Sequence, residues 1–370
     1  MLEEMEVQIV DRAYEAAVVP DLWPQLCDLV SAHVGAYSTA LITLAPDGPP
    51  RWTASDCIAE QMKVYETSGV AQRSRRPLIG LERWPNMFMR DVDLLTPEEL
   101  EDDPLRLELL EPIGLAWEMG GSFLEPSGSV FVYSQLNRTD NGPFSPHALM
   151  RMNKIKSDLA RAGFLAARLG LKQAQSMTEG LEAIGLAGAV IGDNGQVITA
   201  NRQFADLSPR IRTASRNRLF FEDVSARSAY ESALELVQAG KTAPVQSIPI
   251  AAKSDDPALV IQIIPVRRAA RDIFNRSCAL VVVTPVVGVG PPDLRVICGL
   301  FDLTGAEAVV AQKLTAGFSV DEISAALRIS KDTVRTHIKA LFRKTGVNRQ
   351  VQLVRLLAGL GPTVVQPKRT

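Results

Sequence analysis

The sequence predicts an α+β chain of several domains: two mixed units, each built on an antiparallel sheet, followed by an all-α unit of four short helices. Three observations carry this reading. Short apolar or alternating runs between Tyr37 and Leu136, and again between Leu186 and Val287, are set apart by Gly, Pro, Asn and Asp turn signals and interleaved with helical stretches; that is the pattern of antiparallel sheets flanked by helices. From Ser145 to Gly170, Leu149, Met152, Ile155, Leu159, Ala162, Ala166 and Leu169 recur at spacings of three and four, which makes one long helix. After Leu303, capping residues and glycines punctuate four stretches of helical period.

A length of 370 residues suggests two or three domains, each with its own core, and 46% hydrophobic with 22% charged residues is ordinary for a folded, soluble chain. Cys27, Cys57, Cys278 and Cys298 lack any short paired spacing, so neither a zinc ribbon nor a disulfide framework is indicated. Scattered single cysteines suit a reducing cytosol. The start, MLEEMEVQIVDRAYEA, is acidic and amphipathic, unlike the basic start of a signal peptide. The strongest apolar run, Cys278 to Gly290, is broken by Pro285 and too short to cross a bilayer. A cytoplasmic location with no membrane contact is therefore expected.

The first unit is placed at 1–170. Helices are expected near 3–18 and 21–34, then a strand over Tyr37 to Leu44 and a second near Arg51. A helix around Ile58 to Thr67 leads into an irregular, Arg-rich stretch reaching about Asp93. Thr96 caps a further helix with Pro97 at its first position. Gly114 to Leu124 and Ser129 to Leu136 pair as strands across the Pro126-Ser127-Gly128 turn. The long helix closes the unit, and its apolar seam either packs on its own domain, the commoner outcome, or zips to a second copy.

The middle unit is placed at 178–288. Leu186 to Ile191 and Val197 to Ala200 read as strands joined by the Asp193-Asn194-Gly195 turn. Asn201 opens a short helix through Leu207, and a second helix runs around Ser228 to Ala239. Three more strands follow, over Val245 to Ala251, Leu259 to Val266 and Ala279 to Val287. Arg210, Arg212, Arg216 and Arg218 cluster in a loop that either grips an anion or is simply solvated. Thr284 to Pro292 supplies a stiff connector rich in Pro and Gly.

The last unit, 296–370, carries the strongest functional signal. Thr304 and Glu307 form a capping box, Gly317 ends the helix they begin, Ser319 caps the next, and Ser330 starts a third after a turn of a few residues. On this third helix Val334, Ile338, Leu341 and Phe342 make one apolar stripe. Lys331, Thr333, Arg335, Thr336, Lys339, Arg343 and Lys344 occupy its other faces. Leu327 to Arg355 holds eight Lys or Arg against the single acid Asp332, in a chain whose net charge is −2. Local positive charge beside a tight turn between two helices is the arrangement that places a helix in the major groove of DNA.

These residues resemble the DNA-binding domain of LuxR-type transcriptional regulators. The pattern L-T-x-x-E, a Gly ten residues after the Glu, and E-I-x-x-x-L-x-I-S-x-x-T-V-R-x-H is met by Leu303, Thr304, Glu307, Gly317, Glu322, Ile323, Leu327, Ile329, Ser330, Thr333, Val334, Arg335 and His337. Lys344 to Val347 resembles the family's K-L-G-V, with Thr345 in place of Leu. The resemblance implies that Lys331, Arg335, Thr336 and Lys339 meet base edges and nearby phosphates, with Arg335 able to pair bidentately with guanine. Thr333, His337 and Arg343 then touch the backbone or support the helix, and Lys344 adds to the same basic surface; His337 is equally well read as a structural histidine between helices. Glu307 is expected to act through its cap.

The middle unit resembles a PAS domain in strand order and in the run G-x-V-I-x-A-N at Gly195 to Asn201. No cofactor is expected there, because 180–287 holds no His for haem and no Cys in a flavin-binding motif. The first unit is similar to GAF-like or autoinducer-binding-like folds, and Asp91 to Leu100 resembles the sensor half of LuxR-type regulators with this three-part layout. That resemblance implies a small-molecule pocket, for which Tyr65, Trp84, Met87, Trp117, Phe123, Phe131 and Tyr133 are the candidate lining. The autoinducer-receptor pattern itself is broken: Gln61 stands four residues before Tyr65 where a Trp is expected, and the turn Ser74 to Pro77 lacks an Asp.

Catalysis is not indicated. His33, His147 and His337 have no metal-ligand spacing, and no nucleophile elbow, phosphate loop or dinucleotide fingerprint occurs. The expected protein is a DNA-binding regulator that acts on double-stranded DNA as a homodimer, answers to a small-molecule effector and engages RNA polymerase. The alternative is a ligand-independent or partner-controlled regulator whose first two units serve dimerisation.

Overall fold

The computed structural model describes residues 2–45, 48–125, 128–239, 243–253, 256–267, 272–286 and 293–358. The connector read over 284–292 lies outside these from 287 on, as do Pro126 and Ser127 of the hairpin turn and the last unit's residues after 358. The chain divides into two compact units. One comprises Met1–Gly180, Gly188–Gln246 and Gln262–Val282; the other comprises Leu181–Ala187, Ser247–Ile261 and Val283–Thr370.

The first unit begins with helices α1 (Leu2–Val18) and α2 (Trp23–Val34), then strands β1 (Ser38–Leu44) and β2 (Arg51–Ala54). Helix α3 (Ala59–Thr67) follows as expected. The stretch read as irregular up to Asp93 is instead ordered into α4 (Val70–Arg73), α5 (Arg76–Arg83), β3 (Phe88–Arg90) and α6 (Asp91–Leu94). The physical reason is that Arg76 is buried and neutralised by acids far away in sequence, so local charge density gave a false signal of exposure. Helix α7 (Pro97–Glu101) carries the expected capping box between Thr96 and Glu99. Strands β4 (Leu115–Leu124) and β5 (Val130–Arg138) pair antiparallel.

The sheet runs β2-β1-β5-β4-β3. Its register sets Phe123 opposite Phe131 and Gly121 opposite Tyr133, while Ser122 faces Val132 and Gly120 faces Ser134. Since successive side chains alternate between faces, one face is aromatic and the other is small and polar. The aromatic face packs under α1, α2 and helix α8 (Pro146–Ala183) in a core that includes Trp23, Phe88, Phe123, Phe131 and Tyr133. Phe123 and Phe131 stack at 5.1 Å. Gly163 lets α8 approach, because a Cβ there would lie 2.5 Å from Phe131 Cζ. The α8 seam from Met152 to Ala166 is buried in this same core, so its own domain occupies it.

The remaining strands and helices include five strands and two helices near the expected places, together with a strand pair, Ile211–Thr213 with Leu219–Phe221, where the sequence reading had an Arg-rich loop. They are β6 (Ala187–Gly192), β7 (Val197–Ala200), α9 (Arg202–Ala205), β8 (Ile211–Thr213), β9 (Leu219–Phe221), α10 (Val224–Gln238), β10 (Gln246–Ile250), β11 (Ala258–Pro265) and β12 (Ser277–Val286). Five of the strands make a sheet in the order β10-β11-β12-β6-β7, and β8 with β9 form a separate two-stranded ribbon. Asn201 caps α9 by accepting from the Phe204 amide at 3.0 Å, as its position suggested.

In the second unit, α11 (Leu294–Phe301) precedes α12 (Gly305–Thr315), α13 (Val320–Leu327), α14 (Lys331–Thr345) and α15 (Gln350–Ala358). The sequence reading gave the last four and missed α11. Ile297, Val310, Leu314, Ile323, Val334, Leu341, Leu353 and Leu357 form their shared core, each 1% exposed or less. Among the described residues no helix is long and apolar enough to cross a membrane.

Candidate nucleic-acid interface and ligand pocket

Three side-chain caps set the geometry of α12, α13 and α14. Thr304 accepts from the Glu307 amide while Glu307 accepts from the Thr304 amide, and Ser319 with Glu322 repeats the arrangement. Ser330 accepts from the Thr333 amide at 3.1 Å. Between α13 and α14 the chain turns within Arg328, Ile329 and Ser330, with Arg328 in the left-handed region at φ 55°. Ser324 Oγ donates to the Ile329 carbonyl and ties this turn down. Two capped helices joined by three residues are thus held at a fixed angle by Ile323 and Val334, both wholly buried.

Helix α14 buries Val334 and Leu341 and half-buries Ile338 and Phe342. Lys331, Arg335, Lys339 and Arg343 are exposed at successive fourth positions, which on a helix makes one continuous ridge. Like charges at that spacing repel by roughly 0.2–0.5 kcal/mol per pair, so the ridge weakens the free helix and is relieved by a polyanion. Lys331 Nζ meets Asp321 at 2.8 Å and Arg335 meets Asp332 at 3.1 Å, both exposed pairs. Lys339 and Arg343 have no ionic partner among the described residues.

The other expected contacts are placed differently. Thr333 shares a hydrogen bond with Ser330 at 2.9 Å and belongs to the cap. Thr336 is exposed and its hydroxyl donates back to the Asp332 carbonyl. His337 is half-buried. Lys344 leaves the ridge altogether: its ammonium donates to Glu307 Oε2 at 2.8 Å and to the Asp302 carbonyl at 2.7 Å. The Lys344 contact, followed by the Thr304 amide, pulls the Glu307 carboxyl down to about 2. Glu307 therefore joins α14 to the start of α12, a larger structural role than the cap alone.

A cavity lies on the small, polar face of the first unit's sheet. Ala40, Ile42, Glu118, Gly120, Ser122, Val132, Ser134 and Leu136 form its floor, and α3, α5, α6 and residues 105–113 cover it. Its empty space, counted out through its mouth into solvent, is about 950 Å³. Of the seven residues expected to line a pocket, Tyr65 and Met87 do so. Phe123, Phe131 and Tyr133 sit on the opposite face of the sheet, in the aromatic core. Trp117 instead lies under Arg106 at 5.3 Å and donates to the Thr139 carbonyl. Trp84 caps the C-terminal end of α5, away from the cavity lining.

The cavity's polar end was missed by the sequence reading. Arg76 Nη1 donates to Glu118 at 2.6 Å, and Nη2 to Asp103 at 2.7 Å. Asp91 Oδ2 stands 3.9 Å from Nη1 and accepts the Glu118 amide at 2.8 Å. Ser134 Oγ donates to the other Glu118 oxygen. Burial works against the Arg76 charge, but Glu118, Asp103 and Asp91 together outweigh it and hold its pKa above the ordinary value. Burial pushes the Asp91 carboxyl up to about 6. The one signal in the sequence was Glu118, an acid between Trp117 and Met119 in a strand.

The Arg cluster of the middle region does not converge on one point. Arg212 lies over the Phe220 ring at 4.5 Å, and Arg218 donates to the Asn194 carbonyl at 2.9 Å. Among the described residues no group of His, Cys, Asp or Glu has the arrangement of a metal site.

Residues 302–357 match the family described as GerE, bacterial regulatory proteins of the luxR family. The transcriptional regulatory protein UhpA of Escherichia coli K12 is 36% identical over 111 residues, covering 27% of this chain and 56% of that protein. The chain thus spans about half the length of the curated relatives it matches. Among solved structures, the N-acylhomoserine lactone dependent LuxR family factor CepR2 of Burkholderia cenocepacia covers 45% of this chain at 13% identity, with 98% of its own chain aligned and a TM-score of 0.33. Escherichia coli SdiA covers 94% of this chain at 10% identity, with 92% of its own chain aligned and a TM-score of 0.30. The caps, the three-residue turn and the family match over the same residues agree: the segment 302–357 is a luxR-family helix-turn-helix domain.

Proposed function

We propose that this protein is a transcription regulator that binds double-stranded DNA through α14 and responds to a small molecule held in the cavity of its first unit. The observation that carries the DNA-binding part is the ridge of Lys331, Arg335, Lys339 and Arg343 on the helix that follows the short turn. Such a helix enters the major groove, where arginine reads guanine and the flanking cations hold phosphates. The family match of the same segment supports this, as does its likeness to UhpA, a transcriptional regulatory protein.

The cavity supports the sensing part. A buried polar cluster at one end and apolar walls around Met62, Leu109, Leu110 and Leu136 combine the two features that fix a small ligand. We further propose that the protein acts as a homodimer on paired half-sites one helical turn apart, since one such helix reads only a half-site. A ligand that favours one arrangement of the dimer then changes DNA occupancy, and coupling of this kind is typically worth about 1–3 kcal/mol.

Native mass spectrometry of the full chain, alone and with a duplex from upstream of its own gene, tests this reading. The expected result is a dimer that binds the duplex and releases a small molecule on denaturation. A monomer that ignores DNA overturns the proposal, and a ligand-free dimer that still binds overturns its sensing part.

A further inference from the structure

The charges around the cavity do not balance, and this imbalance says what kind of ligand fits. Asp103 engages Arg76 through both Nε and Nη2 from the side away from the cavity, which leaves only Nη1 toward it. Glu118 and Asp91 share that nitrogen, at 2.6 and 3.9 Å. Both acids line the cavity, Asp91 is 2% and Glu118 8% exposed, and among the described residues Arg76 is the only cationic one in the lining. Three carboxylates thus share one guanidinium: Asp103 takes Nε and Nη2, Glu118 takes Nη1, and Asp91 is left 3.9 Å away. A buried charge without a full counter-charge is costly. Burial raises the Asp91 carboxyl to about 6, the response expected of an acid withdrawn from water.

Resting on the reading of this cavity as a sensor site, we propose that its ligand is a small amphiphile bearing a protonated amine. The ammonium sits between Asp91 and Glu118, and the hydrocarbon extends toward Leu109, Leu110 and Leu136. An ammonium has three donors and one positive charge, so it adds counter-charge that Arg76, shared among three acids, does not supply alone. A carboxylate or phosphate ligand would add to the surplus negative charge, and a neutral one would leave it uncompensated.

Isothermal titration calorimetry of the full chain with hexylamine, hexan-1-ol and hexanoate tests this at near-neutral pH. Hexylamine is expected to bind at least about tenfold more tightly than hexan-1-ol, with hexanoate weakest. Asp91→Asn and Glu118→Gln should each weaken hexylamine about tenfold and leave hexan-1-ol within about twofold. Thermal melts check folding, and if Glu118→Gln fails to fold, Asp91→Asn carries the test alone because its side-chain oxygen still accepts a backbone amide. Equal binding of amine and alcohol overturns the proposal, as does hexylamine binding that Asp91→Asn leaves unchanged. Should the alcohol or hexanoate bind best and shift DNA affinity, the amine class falls while small-molecule control stands. If none of the three binds, the amine class also falls, and the native mass spectrum decides small-molecule control independently.

Discussion

Breaking the Glu307–Lys344 tie should cost stability without touching DNA recognition, and its size follows from the geometry. Glu307 is 7% exposed and accepts both the Thr304 amide at 2.7 Å and the Lys344 ammonium at 2.8 Å. Lowering its carboxyl from an ordinary 4.5 to about 2 corresponds to about 3 kcal/mol. The Lys344 side chain is 22% exposed, so water screens part of this and about 1–2 kcal/mol is expected for the pair itself. A double-mutant cycle of Glu307→Gln and Lys344→Met, read by urea unfolding at about pH 7, should return that coupling. Because the folded carboxyl titrates below the unfolded one, the contribution is complete above about pH 4.5 and is lost as pH falls toward about 2. A coupling below about 0.3 kcal/mol, or one that grows on acidification, would refute the assignment.

Three further outcomes follow from particular contacts. Arg335→Ala should cost about 1–3 kcal/mol in DNA affinity and relax preference at one base pair, measured by competition with single-base variants of the site; a uniform loss across all sequences would make Arg335 a phosphate contact instead. Gly163→Ala should destabilise the first unit by about 1–3 kcal/mol in denaturant melts, because its Cβ would lie 2.5 Å from Phe131; unchanged stability would show that α8 can shift freely. Asp91, raised to about 6 by burial, favours the folded state when protonated. That stability is present below about pH 4 and fades as pH rises through about 6, so Asp91→Asn should flatten this part of the stability profile. A variant with the same slope as the unchanged protein would contradict it.

Much of this architecture was legible because local signals agreed with the tertiary outcome. The capping residues Thr96, Thr304, Ser319 and Ser330 mark real helix starts, since a cap satisfies backbone amides regardless of what packs nearby. The stripe of Val334, Ile338, Leu341 and Phe342 also faces the core as its period required. What failed was partner identity. Lys344 looked like its neighbours on the helix, yet an acid thirty-seven positions earlier claims it. Arg76 sat in an arginine-rich run that suggested solvent, while Asp103 and Glu118 bury it. The aromatic residues of β4 and β5 were read as pocket lining, although large rings fill a space and small residues leave one. Gly120, Ser122 and Ser134, on the alternate positions, mark the cavity instead.

The claim that α14 is the DNA-binding surface is tested most directly by the salt dependence of DNA affinity. Fluorescence anisotropy of a labelled duplex would be followed with increasing salt, for the unchanged protein and for Lys339→Gln combined with Arg343→Gln. Each neutralised phosphate contributes about 0.9 to the slope of log affinity against log salt, so the double variant should be shallower by about two per chain. A folded variant that keeps the full slope would place the phosphate contacts elsewhere and contradict the account.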